Sequence, residues 1–173
     1  MYDIYSHAMN DAHRFTLGKS GQRKLLTIGL NPSTATKEKS DTTVAKVAEV
    51  ARRNGFDGFV MLNLYPVRAT DFKALPRVAD EAAYAENLKQ IETVVAMEPE
   101  PIIWAAWGKG ILAQSFFVEA CIDLFAELKK YPVTWQCFGP LTGAGHPRHP
   151  SRLKYAWQFA PMEMGTYVCK LRA

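Results

Sequence analysis

Four short apolar runs recur along this chain, and segments with helical spacing separate them. The runs are Lys24–Leu30 (KLLTIGL), Gly58–Leu64 (GFVMLNL), Pro101–Trp107 (PIIWAAW) and Val133–Phe138 (VTWQCF). Each is too short for a helix, and near-continuous apolar character fits a strand buried on both faces. Between them, Asp41–Arg53 places Val44, Val47, Ala48 and Ala51 along one helical face, with Asp41 positioned to cap it and Asn54-Gly55 to stop it. Asp80–Met97 reads as a second helix. Lys109–Lys129 reads as a third, with Leu112, Phe116, Ala120 and Leu124 in a stripe. Ser151–Gln158 is expected to be a short helix, and Thr166–Leu171 is a candidate edge strand. This alternation predicts an α/β three-layer sandwich around a central, mostly parallel four-stranded sheet. With no repeat or linker, residues 1–173 read as one domain.

Composition narrows the class. A chain of 173 residues buries roughly two-thirds of its unfolded surface and needs no covalent staple. No run approaches the roughly 20 apolar residues of a membrane span. The first fifteen residues carry acids and no apolar stretch, unlike a secretory signal. Cys121, Cys137 and Cys169 are odd in number and far apart, which suits reduced thiols in the cytoplasm. They also fall short of the four thiolates of an ordinary iron–sulfur cluster. The expectation is a cytoplasmic monomer with no metal and no cofactor. The formal charge of +4 permits nucleic-acid binding without requiring it.

In an open parallel sheet, ligands bind beyond the carboxyl ends of the strands. The unusual residues of this chain fall there. The first run ends in Gly29-Leu30-Asn31-Pro32-Ser33, the second in Asn63 followed by Leu64, Tyr65 and Pro66, and the third in Trp107-Gly108-Lys109-Gly110. The fourth leads to Gly145-His146-Pro147-Arg148-His149-Pro150-Ser151. Asn31-Pro32 reads either as a plain turn or as an amide that holds a water or a leaving group. Asn63 is either a satisfied core amide or one that reads the edge of a base. His146 and His149 have metal-ligand spacing, but their loop holds no Cys, Asp or Glu. Trp104 and Trp107 read as core more readily than as stacking platforms. Gly108-Lys109-Gly110 before a helix is a candidate phosphate cradle, without Walker A spacing.

Together these motifs resemble the uracil-DNA glycosylase superfamily from about Leu25 to Tyr155. Gly29-Leu30-Asn31-Pro32-Ser33 looks like the Gly-x-Asn-Pro motif of the mismatch-specific branch. Val60–Leu64 looks like the strand that ends in the base-reading Asn of the uracil-specific enzymes. Ile103–Gly108 is similar to their third strand and its phosphate-pinching loop. His149-Pro150-Ser151-Arg152-Leu153 looks like the second active-site motif, His-Pro-Ser-x-Leu. The chain also resembles a group of uncharacterised bacterial and phage proteins that share the Gly-Leu-Asn-Pro-Ser start and the Gly-His-Pro-Arg-His-Pro loop.

The resemblance implies a DNA glycosylase of base-excision repair. It would hydrolyse the N-glycosidic bond of a flipped-out uracil, mismatched or modified base. His149 would donate to the departing base and Asn31 would orient the attacking water. Asn63, Gly29, Leu30, Pro32, Ser33 and Tyr65 would line the base pocket. Gly108, Lys109, Ser151 and Arg152 would hold DNA phosphates, and Leu153 would wedge into the gap. The uracil-specific enzymes carry Asp where Asn31 stands, so here the water would be positioned and not deprotonated. Two other classes fit the same residues. One is a non-catalytic module that binds nucleic acid or protein, and the other is a hydrolase of a free modified nucleotide.

Overall fold

The computed structural model describes residues 1–173. Its one sheet has seven strands in the order β1-β2-β4-β3-β5-β6-β7. These are β1 (Ile4–Ala8), β2 (His13–Lys19), β3 (Lys24–Gly29), β4 (Gly58–Asn63), β5 (Ile102–Ala105), β6 (Thr134–Phe138) and β7 (Phe159–Pro161). The expected four-stranded sheet is therefore corrected to a mixed seven-stranded one. The four apolar runs supply its centre, where β4, β3, β5 and β6 are mutually parallel. The β1–β2 hairpin adds antiparallel to β4, and β7 adds antiparallel to β6.

Four α-helices cover the sheet: α1 (Thr42–Arg53), α2 (Glu81–Ala96), α3 (Ser115–Leu128) and α4 (Met164–Arg172). Asp41 caps α1 as expected, its Oδ1 accepting the Val44 N–H at 2.9 Å. Arg52 and Arg53 in the last turn complement the helix dipole. Val44, Val47 and Val50 of α1 pack on Leu25, Phe59, Met61 and Trp104 on one side of the sheet. Helices α2, α3 and α4 cover Leu26, Ile28, Val60, Leu62 and Ile103 on the other. Alternate residues of β3 thus feed opposite cores, as the pleat requires. Both faces are covered, which is why β3 and β4 read as unbroken apolar runs.

Three local expectations change. Thr166–Leu171 is not an edge strand but part of α4, with Met164, Tyr167 and Val168 buried at helical spacing. Ser151–Gln158 is not a helix. A single 3-10 turn, Pro150–Arg152, leads on to β7. The third helix starts later than expected, because Gly108–Ala113 is a 3-10 turn and Gln114 is extended. No helix is long and apolar enough to cross a membrane.

Candidate functional site

The chain passes from β3 outward to β4, then crosses back to β5 on the opposite side of β3. Loops that leave β3 and β5 therefore diverge, and the carboxyl ends of those strands flank a crevice. A cavity of about 810 Å³ lies there, lined by the ends of all four parallel strands. Leu30, Asn31 and Ser33 come from the β3 loop, Met61 and Asn63 from β4, Trp107, Gly108 and Lys109 from the β5 end, and His149, Ser151 and Arg152 from the β6 loop.

Asn63 ends β4 at 1% exposure, and neither Nδ2 nor Oδ1 has a hydrogen-bond partner. Leaving a buried amide unpaired costs about 1–3 kcal/mol. Its backbone is held firmly by Asn87 of α2, whose Nδ2 donates to the carbonyls of Asn63 (2.8 Å) and Leu64 (3.2 Å). Gly29 stands behind it: a β-carbon there would meet Asn63 Oδ1 at 2.9 Å and Met61 Cε at 2.6 Å. Gly29 thus admits the Asn63 side chain and does not itself line the cavity.

Asn31 is anchored through its amide. Nδ2 donates to the carbonyls of Ala69 (2.9 Å), Pro32 (3.1 Å) and Val67 (3.4 Å), which pins the loop after β4 against the loop after β3. No protein donor reaches its Oδ1. Pro32 takes part only as backbone, its carbonyl also accepting the Ala69 N–H at 2.9 Å.

His149 lies against Gly108 in the cavity wall. Its Nδ1 accepts the Ser151 N–H at 3.2 Å and lies 2.8 Å from the Ser151 hydroxyl. A nitrogen that accepts from a backbone amide carries no proton, so in the neutral ring the hydrogen sits on Nε2. No protein group engages Nε2. Burial lowers the His149 pKa below its ordinary value, and the nearby Asp41 offsets this in part. The ring is therefore a neutral Nε2–H donor at neutral pH. His146 has a different role. It is buried, and its Nδ1 lies 2.9 Å from the Tyr167 hydroxyl, which accepts the Trp107 indole N–H at 3.0 Å. That chain ties His146 Nδ1 to buried side chains of the core. No group of three or more His, Cys, Asp or Glu is placed to hold a metal ion.

Besides Gly29 and Pro32, two more residues expected at the site do not line the cavity. Tyr65 is 3% exposed, packs on Phe116 and Phe117, and accepts the Asp80 N–H at 2.8 Å, so it is core. Leu153 is half-buried against the core beneath α1 and does not line the cavity, so a wedge role would require it to leave that packing. The 3-10 turn at Gly108 also removes the α-helix N-terminus that a phosphate cradle at Lys109 would use. Lys109 and Arg152 keep unpaired cationic ends at the rim, whereas Arg148 is tied to the Pro140 carbonyl (2.8 Å) and stacked on Trp157.

Among the lining residues that sequence reasoning missed, two are charged. Asp41, taken only as a cap, is the one acid of the cavity. Arg14, from β2, is 2% exposed and also lines it.

This fold and site define a mixed open-sheet α/β protein with a cavity rich in basic side chains at the strand switch point. Residues 14–151 match the family described as Protein of unknown function (DUF1643), and the chain belongs to that family. No curated protein and no solved structure matches it significantly.

Proposed function

We propose that this protein is a DNA glycosylase of the uracil-DNA glycosylase type, which draws a flipped-out uracil, mismatched or modified base into the cavity and hydrolyses its N-glycosidic bond. Asn63 carries this reading. A base edge with adjacent donor and acceptor satisfies both atoms of its amide at once, which offsets the cost of their burial.

The chemistry follows from the bond. Its cleavage moves negative charge onto the departing base and positive charge onto the sugar. A donor aimed at a base oxygen strengthens as that charge develops, so it acts on the transition state more than on the ground state. The free Nε2–H of His149 is that donor. Asn31 offers only its Oδ1, which accepts a hydrogen bond from the attacking water and orients it. An amide cannot deprotonate that water. The base reaches the cavity only when turned out of its stack. Lys109, Ser151 and Arg152 at the rim hold phosphates, which position the strand without reading its sequence.

The test is base release from single- and double-stranded oligonucleotides carrying uracil, mismatched thymine and a panel of modified pyrimidines and purines, read as strand scission at the abasic site. The expected result is release by the native chain and loss of most of it in His149→Ala. A folded protein that releases no base from any of them defeats the proposal. Salt-dependent DNA binding without release would mark a non-catalytic binding module instead.

A further inference from the structure

Arg14 is a buried cation with no carboxylate in direct contact. It lies at the start of β2, where its N–H donates to the Pro66 carbonyl at 3.0 Å, and this sets the side chain beside the end of β4. Its Nη1 donates to the Ala35 carbonyl at 3.2 Å, and its Nε has no partner. Arg68 donates to the same Ala35 oxygen at 2.8 Å. Two guanidinium groups thus converge on one carbonyl, but only one is neutralised: Arg68 pairs with Asp11 at 2.9 Å. No carboxylate stands within ion-pair distance of Arg14. Asp41 acts on Arg14 only from beyond ion-pair distance, and its two oxygens are held by the N–H groups of Ala35 (3.2 Å) and Val44 (2.9 Å). Burial, with Arg68 adding to it, pushes the Arg14 pKa down to about 10 although Asp41, Tyr5 and Asp11 oppose the shift, and the group stays charged at neutral pH.

A charge in this setting is costly unless something pairs with it. The cavity has room for that partner. At about 810 Å³ it falls in the range of clefts that take drug-sized ligands, well beyond what a plain pyrimidine fills. Building on the base-binding reading, we propose that the ligand of this cavity carries an anionic oxygen group, a carboxylate or a phosphate, that pairs with the Arg14 guanidinium, whose Nε has no hydrogen-bond partner in the protein. Charge-assisted bonds of this kind are the strong ones, and the guanidinium fork matches both groups. The anion is either a substituent on the base or the phosphate of the same nucleotide.

Calorimetric titration of the full chain separates these sources. The ligands are uracil, 5-carboxyuracil, orotate, deoxyuridine, dUMP and inorganic phosphate, each against the native protein, Arg14→Gln and Arg14→Lys. An acid on the base predicts that a carboxylated uracil binds about tenfold or more tighter than uracil. The preference is lost in Arg14→Gln and partly kept in Arg14→Lys. A phosphate source predicts the same pattern for dUMP over deoxyuridine. Equal binding of neutral and anionic ligands, or a preference that survives Arg14→Gln, overturns the anion inference and leaves the base-binding reading standing. Phosphate binding that depends on Arg14, with no binding of any uracil compound, keeps the anion site and removes the base reading. Absence of all binding removes both. Should Arg14→Gln not fold, the ligand pairs on the native chain and on Arg14→Lys decide the matter.

Discussion

Gly108 and His149 are in direct contact: a β-carbon built on Gly108 would lie 3.0 Å from the His149 Cβ. Gly108 also has φ +71°, a conformation that costs an L-residue about 1–2 kcal/mol. Gly108→Ala should therefore push His149 aside. A displacement of about 1 Å at a reacting group lowers rate by up to ~100-fold. The expectation is a folded protein with base release reduced to that degree, checked by circular dichroism alongside single-turnover kinetics.

Asn63→Leu separates function from stability. It removes an amide whose two polar atoms are buried without partners. Thermal unfolding of the ligand-free protein should be unchanged or shifted upward, since up to about 1–3 kcal/mol of burial cost is relieved. Base binding should vanish. Asn63→Asp, which replaces a donor by an acceptor, should change which base is accepted.

Asn31→Asp should not make a better enzyme. A carboxylate there would face the carbonyls of Pro32, Val67 and Ala69, which now accept from the amide. Losing those bonds costs about 1–3 kcal/mol, and repulsion adds to it. Urea denaturation should show a lowered midpoint, and base release should fall below that of the native chain.

Acid should weaken the fold through His149 and His146. Burial holds both below their ordinary value of 6.5, so the unfolded chain takes up protons first. Their contribution to stability is whole above pH 6.5. It declines as the pH drops from there toward their folded values, where it levels off. Melting temperatures between pH 7.5 and 5 should follow this slope, and His149→Ala should make it shallower.

DNA affinity should fall steeply with salt. Lys109→Ala removes one unpaired rim cation and should weaken binding to all sequences alike, with the salt slope reduced by about one unit. Titration of a labelled oligonucleotide at several salt concentrations measures both. A slope unaffected by the substitution would take Lys109 out of the phosphate-binding role.

The parallel centre of the sheet was legible because burial on both faces forces unbroken apolar runs, and the helix caps at Asp41 and Asn54-Gly55 were legible as local chemistry. The flanking strands were not. Strand β2 interleaves Arg14 and Thr16 with Phe15 and Leu17, and all four are buried, so polar side chains hide the run. Met9, Asn10 and Asp11 make its turn with positive φ, and the Asn-Asp pair was the available signal. Helix α4 is hard to read from sequence because Thr166, Tyr167 and Val168 favour strands, while the three-and-four spacing of Met164, Tyr167 and Val168 is helical. At the site, the loop residues announced themselves by following apolar runs. Arg14 did not, because its role depends on where β2 pairs in the sheet.

The cavity takes Arg14 from near the start of the chain and His149 from near its end, with the other walls supplied in between. A ligand bound as proposed touches both, so partial folding should give no partial affinity. Occupancy is coupled to the whole cooperative transition. A ligand at one hundred times its Kd should stabilise every element by about 2.7 kcal/mol, so slowed amide exchange in β2 and in the loop around His149 should rise together.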